Sequence, residues 1–368
     1  MPPFSRGTES SEDLLPKARA GNEAAFAQLT EPYRRELHAH CYRMLGSLHD
    51  TEEAMQEAML RIWRGLDRFE GRSSLRAWLY RIATNTCLDS IARRKRRLLP
   101  EDYAPKADPN LPPGEPVAEG AWIEPYPDEA LEIPDGYASP DARYEEREAL
   151  ELAFVVAMQH LSPRQRAALI LREVLGFSAK EVGETLETSV PSVNSALQRA
   201  RETIDRRLPD RSQQATLRAL GDARMKEIVE EYMEAMRTGD VQRVVSMLTE
   251  DVSWSMPPLA SWYGGIDEVE VFLRTKPLCG EWQWRHRAAT ANGQLAVGTY
   301  TWLEAERTHV PFSLDVITLE GDRIKEVTAF VVRPADTTDG YQRWPDRNAD
   351  PRRVDAVFRR FGLPDHVD

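Results

Sequence analysis

Residues 63–97 contain the side-chain types that bind single-stranded nucleic acid. Aromatic residues flank a polar loop at residues 70–74, and the stretch ends in five consecutive cations, 93–97. Bases stack on aromatic rings, while Arg and Lys bind the phosphates. The same residues also fit a packed core beside a solvated helix end, where positive charge is favourable. The flanking aromatic residues are Trp63, Phe69, Trp78 and Tyr80.

A second stretch, residues 162–208, has the spacing of a helix-turn-helix unit. Ser162 with Gln165 and Ser178 with Glu181 predict two capped helix starts, and a longer helix follows a turn. The N-terminal side chains of that longer helix would read base edges in the major groove. The pattern alone also fits units that bind no DNA. The predicted DNA-facing residues are Pro191, Ser192, Asn194, Ser195, Gln198, Arg199 and Arg201. The predicted core positions are Val182, Leu186, Val193, Leu197 and Ile204.

The charge of the chain is distributed unevenly among the elements that must position these side chains. The formal net charge is −12. Residues 98–142 hold 11 acids, one lysine and ten of the 25 prolines, which predicts an extended linker rather than a packed unit. Residues 20–97 and 160–211 instead carry excesses of four and two positive charges. The acidic total therefore does not exclude a nucleic-acid partner.

A third block, residues 222–335, predicts helices followed by an antiparallel sheet, which is an α+β arrangement. Asn292-Gly293 is a strong hairpin signal between two alternating runs. The predicted helices cover 224–236, 241–248 and 265–274. The predicted strands cover 251–256, 281–291, 294–305, 312–319 and 323–332.

Composition argues against several classes of protein. No window approaches the roughly 18 apolar residues of a membrane helix, and residues 1–13 lack the apolar core of a secretory signal, so we expect a cytoplasmic location. Cys41, Cys87 and Cys279 fit neither a disulfide framework nor a paired-cysteine zinc site. His38 shares a helix face with Cys41 but has no further ligands nearby. We therefore expect no metal and no cofactor.

Residues 50–97 resemble region 2 of an extracytoplasmic-function (ECF) sigma factor of the sigma-70 family. The resemblance rests on Phe-Glu-Gly-Arg-Ser at 69–73 and Trp-Leu-Tyr-Arg-Ile-Ala-Thr-Asn at 78–85. In such factors an acidic helix docks on the β′ clamp helices of RNA polymerase, and the following loop and helix capture a flipped −10 base. The core-binding residues that this implies are Asp50, Glu53, Gln56 and Glu57. The −10 DNA-binding residues are Phe69, Gly71, Arg72, Ser73, Trp78, Arg81, Asn85, Arg93 and Arg94.

Residues 161–204 resemble region 4 of the same family, which recognises the −35 element of promoter DNA and touches the β-flap of polymerase. Asn194 stands where many of these factors carry a basic residue, so the promoter sequence cannot be transferred from relatives. Together the two regions imply a promoter-specificity subunit and not an enzyme. The alternatives are a one-component regulator with a ligand-sensing domain and an enzyme fused to a DNA-binding module. Neither alternative has a use for a polymerase-docking helix followed by a base-capturing loop.

Residues 232–256 and 264–273 resemble the SnoaL-like (NTF2-like) cone. Such cones commonly enclose an apolar pocket, which would here suit a small apolar ligand, although the same residues also fit a plain core. Residues 121–132 resemble the tryptophan-proline motif of the SigG-like subgroup, in which the appended domain modulates the sigma factor. The predicted pocket residues are Trp254, Trp262, Asp267, His286 and Asp315.

The predicted architecture is multidomain, with two all-α sigma domains, a linker and an α+β cone. We hypothesise that the acidic linker either follows the basic channel of polymerase or, in the free protein, lies over the cations at 93–97 and holds regions 2 and 4 closed. The predicted segments are region 2 at 15–97, the linker at 98–142, region 4 at 143–211, the SnoaL-like domain at 222–335 and a tail at 336–368.

Overall fold

The chain forms two compact units in the computed structural model. Within its described residues, the first unit combines 10–45, 49–93 and 161–201, and the second combines 46–48, 94–160 and 202–368. Across the described ranges, no helix is both long and apolar enough to cross a membrane. The structure describes residues 10–114, 116–117, 122–131, 148–304, 307–332 and 357–368.

Four N-terminal helices and a helix-turn-helix build the first unit. The helix that begins after Ser74 ends at Ala92, before the five cations at 93–97. Like charges on neighbouring helical positions repel one another, and Arg97 instead turns inward to donate to the carbonyl oxygen of Trp122 at 2.7 Å. In chain order, the helices of the molecule are α1 (Ser11–Arg19), α2 (Glu23–Leu45), α3 (Leu48–Gly65), α4 (Leu75–Ala92), α5 (Pro100–Tyr103), α6 (Leu152–Gln159), α7 (Pro163–Leu169), α8 (Ala179–Thr185), α9 (Val190–Asp205), α10 (Gln213–Thr238), α11 (Val241–Ser246) and α12 (Ile266–Thr275).

The predicted helix-turn-helix is confirmed in helices α7 to α9. Ser162 and Ser178 each form the predicted capping box at a helix start. A Cβ atom at Gly183 would lie 2.9 Å from the carbonyl oxygen of Thr188, so the turn between α8 and α9 requires glycine there. The unit is held together by a continuous apolar core, because all five predicted core positions are buried: Val182, Leu186, Val193, Leu197 and Ile204.

The second unit contains a six-stranded sheet. Its strands are β1 (Leu248–Ser255), β2 (Trp262–Gly264), β3 (Trp284–Ala291), β4 (Gln294–Leu303), β5 (Thr308–Glu320) and β6 (Arg323–Val331). Their order is β2-β1-β6-β5-β4-β3, with β1 and β6 parallel and the other neighbours antiparallel. Asn292 and Gly293, with φ angles of 56° and 69°, form the predicted hairpin turn. Because helices α10 to α12 pack with this sheet, the predicted α+β class is confirmed.

The acidic segment that precedes the cone packs against it, so the prediction of an extended, unpacked linker is wrong for the described part. The side chains of Trp122 and Tyr126 are buried, and the N–H of Ala107 donates to the carbonyl oxygen of Trp262 at 2.9 Å. Backbone groups between the prolines thus find partners on the cone, as buried polar groups must. Residues 132–142 of the predicted linker lie outside the described residues.

The last residues of the chain pack on strands β4 and β5 of the sheet. The rings of Phe358 and Tyr300 meet edge to face with centroids 5.2 Å apart. Backbone hydrogen bonds join His309 and Val367 in both directions, at 3.0 and 2.9 Å. Residues 357–368 therefore belong to the cone.

Candidate nucleic-acid interface

Helix α3 presents an acidic and amide face to solvent. Glu53, Gln56 and Glu57 are exposed on this helix. Glu57 pairs with Arg61 at 2.7 Å. Asp50, which the resemblance assigns to the same face, is only 2% exposed. Positions 50, 54 and 58 follow the four-residue spacing of the buried stripe, so Asp50 is not part of the exposed face, and its role in core binding stays a prediction.

The loop between α3 and α4 exposes polar side chains and hides its aromatic ones. Gly71 has a φ of 72°, a conformation that favours glycine, and Arg72 is exposed in a pair with Glu70 at 2.8 Å. Phe69 and Trp78 are only 7% and 6% exposed, with ring centroids 5.2 Å apart. Both rings therefore pack at the helix junction in this structure, and their contact with the −10 element stays a prediction.

Among the residues predicted to bind the −10 element, the side chains that are at least partly exposed are polar or cationic. Ser73 is half-buried in the loop, and Arg81 and Asn85 lie one helical turn apart on α4 with exposed and half-buried side chains. Arg93 and Arg94 are exposed just beyond the end of α4. These groups can donate hydrogen bonds to phosphates and base edges.

Helix α9 exposes every side chain predicted to face DNA. Of these residues, Arg201 pairs with Glu173 at 2.6 Å, and the hydroxyls of Ser192 and Ser189 lie 2.9 Å apart. The remaining face offers amides and a guanidinium, which are the groups that read base edges. The exposed residues are Pro191, Ser192, Asn194, Ser195, Gln198, Arg199 and Arg201.

A cluster centred on Arg76 joins α4 to the helix-turn-helix within the first unit. The Arg76 guanidinium lies 5.0 Å from the ring centre of Tyr80 and 4.9 Å from that of Phe177. It also donates to the carbonyl oxygen of Leu175 and to Glu36, both at 3.3 Å. Sequence reasoning missed this cluster, although an apolar Phe177 directly before the N-cap of α8 is the position of a hydrophobic staple.

The variant Arg76→Ala should loosen the contact between α4 and the helix-turn-helix. It removes a cation held between two rings and a donor to a backbone carbonyl, worth together about 1–2 kcal/mol. Amide hydrogen exchange at 175–178 should accelerate roughly 5- to 30-fold. The exposed Arg72→Ala serves as the matched control, and equal exchange in both variants would contradict the role of Arg76.

Only some of the predicted pocket residues lie in the interior of the cone. Trp254, His286 and Asp315 are buried. Trp262 is half-buried and its indole donates to the carbonyl oxygen of Ala104 at 2.8 Å, so it serves the linker. Asp267 is exposed in the first turn of α12. The predicted set therefore does not line one pocket, because Trp262 and Asp267 lie outside the apolar interior.

The buried polar side chains of the cone differ in how many of their hydrogen bonds are made. Asp315 accepts hydrogen bonds from Ser313 at 2.7 Å and from Thr299 and Tyr232 at 3.1 Å, while burial raises its pKa to about 6. Neither ring nitrogen of His286 has a hydrogen-bond partner among the described residues. Burial lowers the pKa of His286 to about 3, so this imidazole is neutral at pH 7.

The side chain of Asn292, at the tip of the β3–β4 hairpin, binds the backbone of the linker and of residue 150. Asn292 is fully buried. Its Oδ1 accepts from the N–H of Tyr126 at 2.8 Å, and its own N–H donates to the Tyr126 carbonyl oxygen at 2.8 Å. Its Nδ2 donates to the carbonyl oxygen of Leu150, also at 2.8 Å. The sequence predicts the turn at Asn292-Gly293, but nothing in local spacing identifies its partners more than 140 residues away.

A pair of carboxyl groups lies where α5 covers the outer face of the sheet. Both carboxylate oxygens of Glu101 are inaccessible to solvent. Burial, and secondarily the charge of Glu101, raises the pKa of Glu326 to about 7, against smaller opposing effects of Thr318 and Lys325. Burial likewise raises the pKa of Glu101. At neutral pH this contact therefore favours a retained proton.

The stability of the protein should consequently fall as pH rises from about 5 to 8. A carboxyl group whose native pKa is raised binds more protons in the folded state over this window, so unfolding becomes easier as the pH increases. Glu326→Gln should flatten that fall by at least about 1.4 kcal/mol, the equivalent of one pKa unit. Urea unfolding at pH 5 and pH 8 measures it, with the exposed Glu320→Gln as control. An equally steep fall in Glu326→Gln would exclude this pair as its source.

Family models match the chain in three places. Sigma-70 region 2 matches residues 29–97, Sigma-70 region 4 matches residues 146–204, and the SnoaL-like domain matches residues 229–327. The buried core of the helix-turn-helix lies within the second match, and the third match covers strands β1 to β5 of the cone with part of β6.

Relatives in other bacteria extend the match to nearly the whole chain. The ECF RNA polymerase sigma factor SigG of Mycobacterium tuberculosis is 41% identical over 93% of this chain and 85% of its own length. The ECF RNA polymerase sigma factor SigW of Bacillus subtilis is 29% identical over 53% of this chain and 95% of its own length. The crystal structure of M. tuberculosis SigJ is 24% identical and covers 85% of this chain and 96% of its own, with a TM-score of 0.49. The chain belongs to the ECF family of RNA polymerase sigma factors and carries a C-terminal SnoaL-like domain.

Proposed function

We propose that this sigma factor uses three separate faces to start transcription. The exposed Glu53, Gln56 and Glu57 dock on the β′ clamp helices, the loop at 70–73 with α4 reads the −10 element, and α9 reads the −35 element while its unit touches the β-flap. The observation that carries the proposal is the helix-turn-helix: every predicted core position of α8 and α9 is buried, and every predicted DNA-facing residue of α9 is exposed.

We infer that the contact around Arg76 is a resting state that must open on a promoter. The −10 and −35 elements are centred about 25 base pairs apart, which is roughly 85 Å at 3.4 Å per base pair. Helix α4 and the helix-turn-helix touch through Arg76, Tyr80 and Phe177. While α4 and the helix-turn-helix are in side-chain contact, they cannot bind the −10 and −35 elements at the same time. Promoter binding therefore requires the two to separate.

The SnoaL-like domain is proposed to regulate rather than to catalyse. Its buried carboxylate, Asp315, already accepts three hydrogen bonds, and its hairpin tip at Asn292 is occupied by the linker. Linker acids also meet the basic run, since Glu124 lies 3.6 Å from Arg97, which supports the hypothesis that the linker restrains the free protein. A small apolar ligand inside the cone stays a prediction.

Reconstituted transcription tests the proposal. Core polymerase supplemented with this protein should initiate at a subset of promoters in a genomic library, and core polymerase alone should not. Removing the positive and polar face of α9 through Asn194→Ala with Arg199→Ala should abolish that initiation without lowering core binding, because α9 faces DNA. Initiation at no promoter by the unaltered protein would overturn the assignment.

A further inference from the structure

A basic pocket lies in the second unit, apart from the three faces assigned above. Its volume is about 430 Å³, and its lining is His160, Thr203, Arg206 and Arg207. His160 directly follows α6, whereas the other three belong to the last turn of α9 and the residues after it. The pocket therefore draws on chain both before and after the helix-turn-helix.

The histidine of this pocket is fixed from both sides. Arg96 is hydrogen-bonded to its Nδ1, and Asp102 lies 2.8 Å from its Nε2. Asp102 also pairs with Arg207 at 3.4 Å. Burial lowers the pKa of His160, and the charges of Arg96 and Arg207 act in the same direction against the effect of Asp102. The pocket is thus lined by a neutral imidazole whose ring orientation is fixed by hydrogen bonds.

Positive charge around the pocket exceeds negative charge. Among the residues that line this pocket or bond to its histidine, three are arginines, Arg96, Arg206 and Arg207, and one is an acid, Asp102. Burial, with a smaller effect of Arg207, lowers the pKa of Arg96 although Asp102 opposes this. Arg206 is exposed and has no ion-pair partner within the described ranges. Such uncompensated charge at a partly enclosed site favours an anion.

The hydrogen-bond donors of this pocket favour one class of anion, the phosphoryl group. Guanidinium groups present paired N–H donors that match the oxygens of a phosphoryl group, and Arg is favoured wherever phosphate is recognised through two parallel hydrogen bonds. The Thr203 side chain lines the same pocket. The volume exceeds that of one phosphate ion and lies in the range of small-molecule sites, roughly 300–1,000 Å³.

We propose that this pocket binds a phosphate-bearing small molecule, with the phosphoryl group held by Arg206 and Arg207. The bound anion would compete with Asp102 for Arg207. Because Asp102 is part of the linker and Arg96 part of the basic run after region 2, the anion would act on segments that connect the sigma regions. This site is independent of the promoter-reading faces.

Calorimetric titration of the full-length protein with inorganic pyrophosphate tests the proposal at constant ionic strength. We expect saturable binding with one site per chain. Arg206→Gln with Arg207→Gln should weaken it at least tenfold, whereas Arg224→Gln, another exposed arginine that pairs with acids, should not. Asp102→Asn should strengthen binding severalfold, because it removes the competing internal anion.

The alternative source of the same chemistry is the DNA backbone. Promoter-free duplex DNA is therefore titrated in parallel over a range of salt concentrations. If the double variant loses duplex affinity and salt dependence while the unaltered protein takes up no pyrophosphate, the arginines serve backbone phosphates and the proposal is overturned. Pyrophosphate binding that is equal in the double variant and in Arg224→Gln overturns it as well.

Two further variants show whether weaker binding comes from misfolding of the protein or from loss of the arginine contacts with the ligand. Arg206→Lys with Arg207→Lys keeps the charge but removes the paired donors, so binding should weaken less than in the glutamine variant. Asp102→Asn tests the pocket by a gain of affinity, which misfolding cannot produce. Unchanged affinity in Asp102→Asn together with full affinity in the lysine variant would contradict recognition by Arg206 and Arg207.

Discussion

Glu53→Lys combined with Gln56→Lys should abolish binding to core polymerase. Both side chains are exposed on α3, and the two lysines replace an acidic and amide face with a positive one. We expect a loss of at least about 100-fold, which corresponds to about 2.7 kcal/mol. The fold should persist, because the substitutions leave the buried Ala54 and Ala58 untouched. The contact of Glu53 with His49 that they break is exposed and is worth little.

The measurement is co-purification with core polymerase and a competition titration against another sigma factor. Glu227→Lys with Glu230→Lys is the matched control, because these exposed acids lie on α10 of the SnoaL-like domain. That variant should bind core normally. Retained co-purification of the α3 variant, with an unchanged thermal melt, would remove α3 as the docking helix.

Asn292→Gly should release the linker from the hairpin tip. Glycine preserves the turn, since it accepts the positive φ of 56° at this position, but it removes both side-chain hydrogen bonds. The buried N–H of Tyr126 and carbonyl of Leu150 then lose partners, at about 1–3 kcal/mol for each group. Amide exchange at 122–128 should accelerate by roughly 100-fold or more, because 1.4 kcal/mol corresponds to a factor of ten.

Two further variants distinguish the effect of Asn292 on the turn conformation from the effect of its side-chain hydrogen bonds. Asn292→Ala should cost more than Asn292→Gly, because it also strains the turn. Asn292→Asp keeps the acceptor for Tyr126 but sets a carboxylate oxygen against the carbonyl oxygen of Leu150 in a fully buried site, so at neutral pH it should also cost more than Asn292→Gly. If 122–128 exchange equally fast in Asn292→Gly and the unaltered protein, other contacts hold the linker and the role given to Asn292 is wrong.

Local signals were sufficient to predict the elements that carry the DNA-facing residues. The capping boxes at Ser162 and Ser178 and the turn at Asn292-Gly293 are encoded within a few neighbouring residues. Helical periodicity likewise separated buried Val193 and Leu197 from the polar face of α9. The seven predicted α9 contacts stay predictions as DNA contacts, but their exposure follows directly from that periodicity.

Composition did not predict which side chains are buried by residues that are distant in sequence. Asp50, Phe69 and Trp78 carry the residue types expected of a binding surface, yet neighbouring helices bury them. The acidic, proline-rich composition of 98–142 favours an extended chain, but Trp122 and Tyr126 supply apolar area that the cone covers. Such outcomes depend on partners distant in sequence, which neither composition nor spacing specifies.

The linker is attached to the cone at well-separated points, and this has a consequence for how it can be released. Near its start, Trp262 binds the carbonyl oxygen of Ala104, and near its end Asn292 binds Tyr126. Each attachment raises the effective concentration of the other, so losing one allows local opening while the second keeps the segment nearby for rapid rebinding. Other hydrogen bonds, such as those of Ala107 with Trp262 and of Val117 with Pro258, act in the same way. Complete release therefore requires simultaneous loss of all these attachments, which makes the linker respond sharply to a combined signal and weakly to any single one.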